Sequence, residues 1–195
     1  MFYKIAKSIV RFFAVIFMPY RIHNADRIPT EGPLILCANH ISYTDPIFMA
    51  FCLKRNVTFI AKKEVVSAPI IGFIIRKLGA FPVDRDGKDL KAVRTCVNVL
   101  KSGGVLGIFP EGTRIIKGRV SKAKPGTALI AKKSSAPFVM IHIRPKKGHF
   151  RLFTRTDVFV SNPTDYQSFC DGLDFQEASD KILKTIYSLG EENGN

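Results

Sequence analysis

The chain has 195 residues, 46% of them hydrophobic, with 16 Phe and no Trp. That length suits one domain and the apolar content excludes a disordered chain. Thirty Lys and Arg against 16 Asp and Glu leave a net charge of +14, which calls for polyanionic partners: nucleic acid, an anionic membrane or phosphorylated substrates.

In residues 1–20, Lys4, Lys7, Ser8 and Arg11 recur at helical spacing, and Phe2, Ile5, Ile9, Phe12, Phe13, Ile16 and Phe17 cover the opposite side. Pro19 closes the pattern. The uncharged run from Phe12 to Tyr20 is far short of the ~20 residues that span a bilayer. The segment therefore reads as an amphipathic helix lying in a membrane interface. A core helix would show the same amphipathicity, and a signal peptide fits less well because no A-x-A-like site follows.

From there strand-like and helix-like segments alternate. Residues 33–38 form a short apolar strand, 45–53 a helix begun by Asp-Pro, and 57–61 a second strand. A very apolar helix spans 67–78 and ends at Gly79, followed by a strand at 80–83. A helix at 88–101 carries Leu90, Val93, Val97 and Leu100 on one stripe. Next come a strand at 105–109, a helix at 124–133 and a strand at 137–143. Residues 150–160 alternate like an exposed strand, 175–189 form a closing amphipathic helix, and 191–195 form a frayed tail. Strands separated by helices predict a single α/β domain over 21–190, with a mixed, mostly parallel sheet flanked by helices.

Cys37, Cys52, Cys96 and Cys170 form no CxxC pair, so they read as reduced, mostly buried thiols; a nucleophilic Cys37 is the lesser reading. No GxSxG, HExxH, GxxxxGK[ST] or GxGxxG occurs, and no His/Cys cluster has zinc spacing. No cofactor is expected.

What does suggest chemistry is Asn39-His40-Ile41-Ser42-Tyr43-Thr44-Asp45, directly after a buried strand. A carboxylate can hold one imidazole nitrogen and leave the other free to take a proton. A second strand end carries Phe109-Pro110-Glu111-Gly112-Thr113-Arg114. There arginine suits phosphate, Gly112 permits close backbone approach and Glu111 can orient a hydroxyl. A plain Arg–Glu ion pair would also explain that turn. Arg85 follows another strand end and can reach the same crevice, or pair with Asp84 or Asp86. His142 lies within an apolar strand and reads as a core histidine. Between Gly112 and Thr156 there is no acidic residue, while Lys and Arg recur throughout; this is either a solvated basic face or a surface that meets phosphates.

In this order, Asn39-His40-x4-Asp45, Gly79–Arg85, Phe109–Arg114, Lys124-Pro125-Gly126-Thr127-Ala128 and the Pro137 strand resemble the glycerolipid acyltransferases, most nearly the bacterial 1-acylglycerol-3-phosphate O-acyltransferases. The likeness covers roughly residues 20–145, and Phe-Pro-Glu-Gly-Thr-Arg is its most specific element. Pro82 and His142 depart from it. The resemblance implies that His40 and Asp45 are catalytic. It implies that Glu111, Gly112, Thr113, Arg114 and Arg85, with Asn39 and Lys62 as weaker candidates, bind the acceptor. Lysophosphatidate and acyl-CoA or acyl-carrier protein would be the substrates, on the cytoplasmic face of a membrane. Glycerol-3-phosphate or another lysophospholipid is the alternative acceptor. A nucleic-acid-binding module is disfavoured, since the aromatic residues sit in apolar runs rather than among the basic ones.

Overall fold

The computed structural model describes Phe12 and residues 15–62, 81–83, 90–115 and 122–191. The helix expected at 67–78 and Arg85 lie outside these residues, as does most of the 1–20 segment, of which Phe12 and residues 15–17 are helical.

The most apolar strand of the chain takes the centre. β2 (Leu34–Ala38) is buried along its whole length, because both faces of the sheet are covered. On one side it pairs in parallel with β5 (Val105–Ile108), which continues to β3 (Val57–Lys62) and β4 (Phe81–Val83). On the other side it pairs in parallel with β6 (Phe138–Pro145). β6 pairs antiparallel with β7 (Thr156–Val160), and β7 pairs in parallel with the edge strand β1 (Tyr20–His23). The result is a seven-stranded, mostly parallel sheet ordered β1-β7-β6-β2-β5-β3-β4.

Alternation along each strand sorts side chains to two cores. Leu34, Leu36, Ala38, Val139, Ile141, Ile143 and Val158 face α1 (Asp45–Phe51), where Phe48 and Met49 fill the space. Ile35, Cys37, Leu106, Ile108, Phe138 and Met140 face α2 (Leu90–Lys101), α3 (Gly126–Ser134), the short α4 (Tyr166–Cys170) and α5 (Phe175–Ser188). Asp174 and Glu177 close a capping box that starts α5.

Two expectations change. The strand expected over 150–160 as an exposed element is only Thr156–Val160, and all five residues are buried. β1, too short and mixed to stand out in the sequence, adds to its outer side, and β6 covers its inner side. The helix expected over 1–20 also stops before residue 20, because Tyr20 already belongs to β1. None of the four buried cysteines is in a disulfide, and burial pushes the Cys37 thiol up to about 12, which argues against it as a nucleophile.

Candidate functional site

Because β2, β3 and β5 run parallel, their carboxyl ends lie at one edge of the sheet, where α/β folds gather functional groups. His40 follows β2 and Glu111 follows β5. Asp45 is the first residue of α1, fully buried, with Pro46 behind it fixing the first helical turn.

His40 Nδ1 donates to Asp45 Oδ2 at 2.9 Å. The backbone N–H groups of Ile41 and Ser42 donate to the same oxygen, each at 2.7 Å. These three donors explain the spacing of the run: the loop curls around the carboxylate, and the carboxylate orients the ring. With a carboxylate as acceptor, Nδ1 carries the proton and Nε2 presents its lone pair. Nε2 has no hydrogen-bond partner among the described residues. The ring is fixed on its face too, stacked on Phe109 at 4.0 Å. Phe109 in turn lies parallel to Phe59, whose ring rests over Gly107 of β5; a Cβ there would meet it at 2.3 Å.

The turn after β5 is bound to this loop by backbone. His40 N–H donates to Glu111 Oε1 at 3.1 Å, and Ile115 N–H donates to His40 O at 2.8 Å. Gly112 sits at φ +67°, and a Cβ there would press on the Lys124 side chain at 2.9 Å. Glu111 is 1% exposed, and Tyr187 of α5 donates its hydroxyl to Glu111 Oε1 at 3.2 Å. Glu111 Oε2 is buried with no hydrogen-bond partner. Burial pushes the Glu111 carboxyl above its ordinary range; its own backbone, the His40 N–H, the Tyr187 hydroxyl and the His40 charge pull it partly back. Burial, then the Glu111 charge, raises Tyr187 in turn.

Arg114 lies over the exposed Tyr43 ring at 3.5 Å, and its Nη2 donates to the Tyr43 hydroxyl at 2.7 Å. No carboxylate pairs with it among the described residues, so the Arg114–Glu111 ion pair that the turn allowed does not form. Thr113 is exposed beside it.

Asn39 needs correction as a binding residue. Its amide donates to Ile143 O at 2.9 Å and accepts from Ile143 N–H at 2.7 Å, and it is 1% exposed. It ties the end of β2 to β6 and has no face left for a ligand. Lys62 ends β3, its backbone in register with Val83 of β4; its side chain, like Arg85, lies outside the described residues. His142 is the core histidine expected: Nδ1 donates to Leu189 O at 2.8 Å, and burial lowers its pKa.

The sequence reading missed Tyr43 and Tyr187. Tyr43 lies between His40 and Asp45, where an exposed tyrosine is a signal. Tyr187 is separated from Glu111 by 76 residues, and no local pattern marks it.

With histidine, buried carboxylates and an open arginine on one sheet edge, comparison with known proteins becomes informative. The family model described as Acyltransferase matches residues 19–160. The chain belongs to the acyltransferase family. Among similar acyltransferases, the 1-acyl-sn-glycerol-3-phosphate acyltransferase of Streptococcus pneumoniae (strain ATCC BAA-255 / R6) is 34% identical over 169 residues, covering 84% of this chain and 60% of the relative. That of Bacillus subtilis (strain 168) is 31% identical over 120 residues, covering 61% and 59%. The chain thus spans about 60% of the length of these curated relatives. The crystal structure of the 1-acyl-sn-glycerophosphate (LPA) acyltransferase PlsC from Thermotoga maritima superposes with a TM-score of 0.78 at 23% identity, over 99% of this chain and 80% of that one. At that identity the likeness concerns the fold, the α/β architecture described above.

Proposed function

We propose that the chain transfers an acyl group from acyl-CoA or acyl-carrier protein to the sn-2 hydroxyl of 1-acylglycerol-3-phosphate, forming phosphatidate. The observation that carries this reading is the His40–Asp45 pair, its Nε2 open and its backbone bonded to Glu111. The names of the Streptococcus and Bacillus relatives support the choice of acceptor.

His40 Nε2 takes the proton of the acceptor hydroxyl as its oxygen attacks the thioester carbonyl. Asp45 stabilises the imidazolium that forms. As the tetrahedral intermediate collapses, the C–S bond breaks and the imidazolium returns its proton to the departing thiolate, so ester and free thiol leave and His40 is reset. The acceptor alcohol is itself the nucleophile, which is why the buried Cys37 thiol is not needed. Glu111 holds the His40 loop through the His40 N–H, while Arg114, with Arg85 and Lys62 as further candidates, holds the phosphate. Gly112 and Thr113 shape that turn.

An anionic membrane surface is the expected partner and the cytoplasmic face the expected place. No helix among the described residues is long and apolar enough to cross a membrane. The test is transfer of a labelled acyl group to lysophosphatidate, glycerol-3-phosphate and lysophosphatidylcholine by the wild type and His40→Ala. Transfer to lysophosphatidate, lost in the variant, is expected. Preference for either other acceptor changes the substrate, and full turnover by His40→Ala removes the mechanism.

A further inference from the structure

β6 runs parallel to β2, so the segment 146–155 that joins β6 to β7 lies at the same end of the sheet as His40. It reads Lys-Lys-Gly-His-Phe-Arg-Leu-Phe-Thr-Arg and contains no acid. Its apolar residues divide. Phe150 turns inward, its ring 6.4 Å from Phe48 of α1. Leu152 and Phe153 turn outward, 54% and 68% exposed.

Phe153 is held in a conformation that a bulky side chain rarely adopts, with φ +58°. Its N–H donates to Phe17 O at 2.8 Å, and its ring packs on Phe17 at 5.7 Å. Thr154 N–H, bonded to Arg151 O at 3.2 Å, closes the turn. Val15 and Ile16, beside Phe17, are exposed as well. Two segments far apart in sequence therefore share one outward apolar surface, bordered by Lys146, Lys147 and Arg151, all exposed. Single exposed apolar residues need no explanation, but a joined group beside a site does.

The border chooses the occupant. A second copy of this chain would bring one basic rim against another, at a net charge of +14 each. An anionic bilayer offers acyl chains to the apolar centre and headgroup phosphates to the lysines and arginine. We propose that Leu152 and Phe153, together with Val15 and Ile16, form a wedge that enters the interface of an anionic bilayer and holds the His40 edge of the sheet against the lipid. This deepens the proposed function, resting on that reading for the lipid nature of the acceptor.

The chain contains no Trp, so Phe153→Trp introduces a sole indole reporter. Adding phosphatidylglycerol–phosphatidylcholine vesicles should shift its emission to the blue. Phe175→Trp, at the start of α5 beside Lys132 and outside the proposed wedge, should not respond. In vesicle sedimentation, Leu152→Ser/Phe153→Ser should bind at least about tenfold more weakly, the order expected for removing a buried Leu and Phe. Its turnover of short-chain lysophosphatidate in detergent should equal the wild type. His40→Ala should bind vesicles as the wild type does, which separates membrane docking from catalysis. An unshifted Phe153→Trp spectrum, or undiminished vesicle binding by the double variant, overturns the wedge. So does sedimentation velocity showing that the double variant dissociates a dimer while vesicle binding stays intact.

Discussion

Two histidine–aspartate pairs occur among the described residues, and they differ in what surrounds them. His40–Asp45 spans 2.9 Å and five positions of sequence; His23–Asp157 spans 3.0 Å and 134 positions. In the first, the aspartate is fully buried and gathers two backbone N–H groups besides the ring, so the carboxylate belongs to that loop alone. In the second, Asp157 also accepts from Arg155 Nε at 3.2 Å, and the His23 ring lies flat on Phe159 at 4.5 Å. Arg155 is spent on a carboxylate, whereas Arg114 rests on a tyrosine. Only the first pair has a second carboxylate, Glu111, bonded to the histidine backbone. The pair chemistry is the same in both places. What makes one a candidate base is the neighbouring Glu111, the unspent arginine and the position at the sheet edge where the parallel strands β2 and β5 end.

The largest effect should separate the two pairs outright. His40→Ala should lose at least ~100-fold in turnover, the usual worth of a general base, while His23→Ala should stay within about twofold. Steady-state acyl transfer measures both, and equal losses would dissolve the distinction. Next comes the anchor beneath the first pair. Asn39→Ala leaves a buried N–H and C=O of Ile143 unpaired, so it should lower unfolding free energy by about 2–4 kcal/mol in a denaturant titration. A change below that would mean that the β2–β6 tie is not what holds the His40 loop.

The arginines give the third contrast. Arg114→Ala should raise the KM of a phosphorylated acceptor by roughly tenfold with little change in kcat, as expected for one charge-assisted contact. An unchanged KM takes Arg114 out of the phosphate site. Arg155→Ala should leave that KM alone.

Tyr187→Phe removes one donor from Glu111 and should weaken acceptor use by roughly threefold to tenfold. It should also move the pH profile. Burial already raises Glu111, so it protonates at a higher pH than an ordinary carboxylate. His40 from the β2 loop and Tyr187 from α5 face it and oppose that shift; Asp45 acts on Tyr187 from α1. Losing the tyrosine hydroxyl should move the acid limb upward, and an unmoved limb would mean that Glu111 does not act as the ionised acceptor.

The smallest effect is on stability. A carboxyl raised in the folded state binds its proton more tightly there than in the unfolded chain. Its contribution is therefore greatest at acid pH and is lost as pH rises through the folded value. Glu111→Gln should accordingly melt higher than the wild type at neutral pH, with the gap closing on acidification, although its activity falls. A lower melting temperature at neutral pH would show that the ionised Glu111 is fully compensated.

Much of the fold was legible because it rests on local patterns. Leu34–Ala38 reads as a continuous apolar run because both faces of β2 are covered, and Leu90, Val93, Val97 and Leu100 mark α2 by their spacing. The His40 loop was legible for a similar reason, since donors and acceptor lie within six residues and the turn builds its own hydrogen bonds. β1 was not, because Tyr-Arg-Ile-His becomes a strand only by pairing with β7. The segment 150–160 misled for the complementary reason: its alternation records side-chain facing, but how much of it is strand and how deeply it is buried depend on neighbours elsewhere in the chain.

The same division runs through the site. The order of residues alone determined a histidine with a carboxylate five positions on, an arginine-bearing turn after a second strand, and a strongly basic chain that calls for polyanionic partners. Tertiary structure decided that Asn39 is a structural tie, that Tyr187 reaches Glu111 from the closing helix, that Arg114 rests on Tyr43, and that Phe153 is turned outward beside Phe17. The physical reason is range. A hydrogen bond within one turn is written in adjacent residues, whereas burial and cross-strand bonds exist only once distant segments have been brought within about 3 Å of each other.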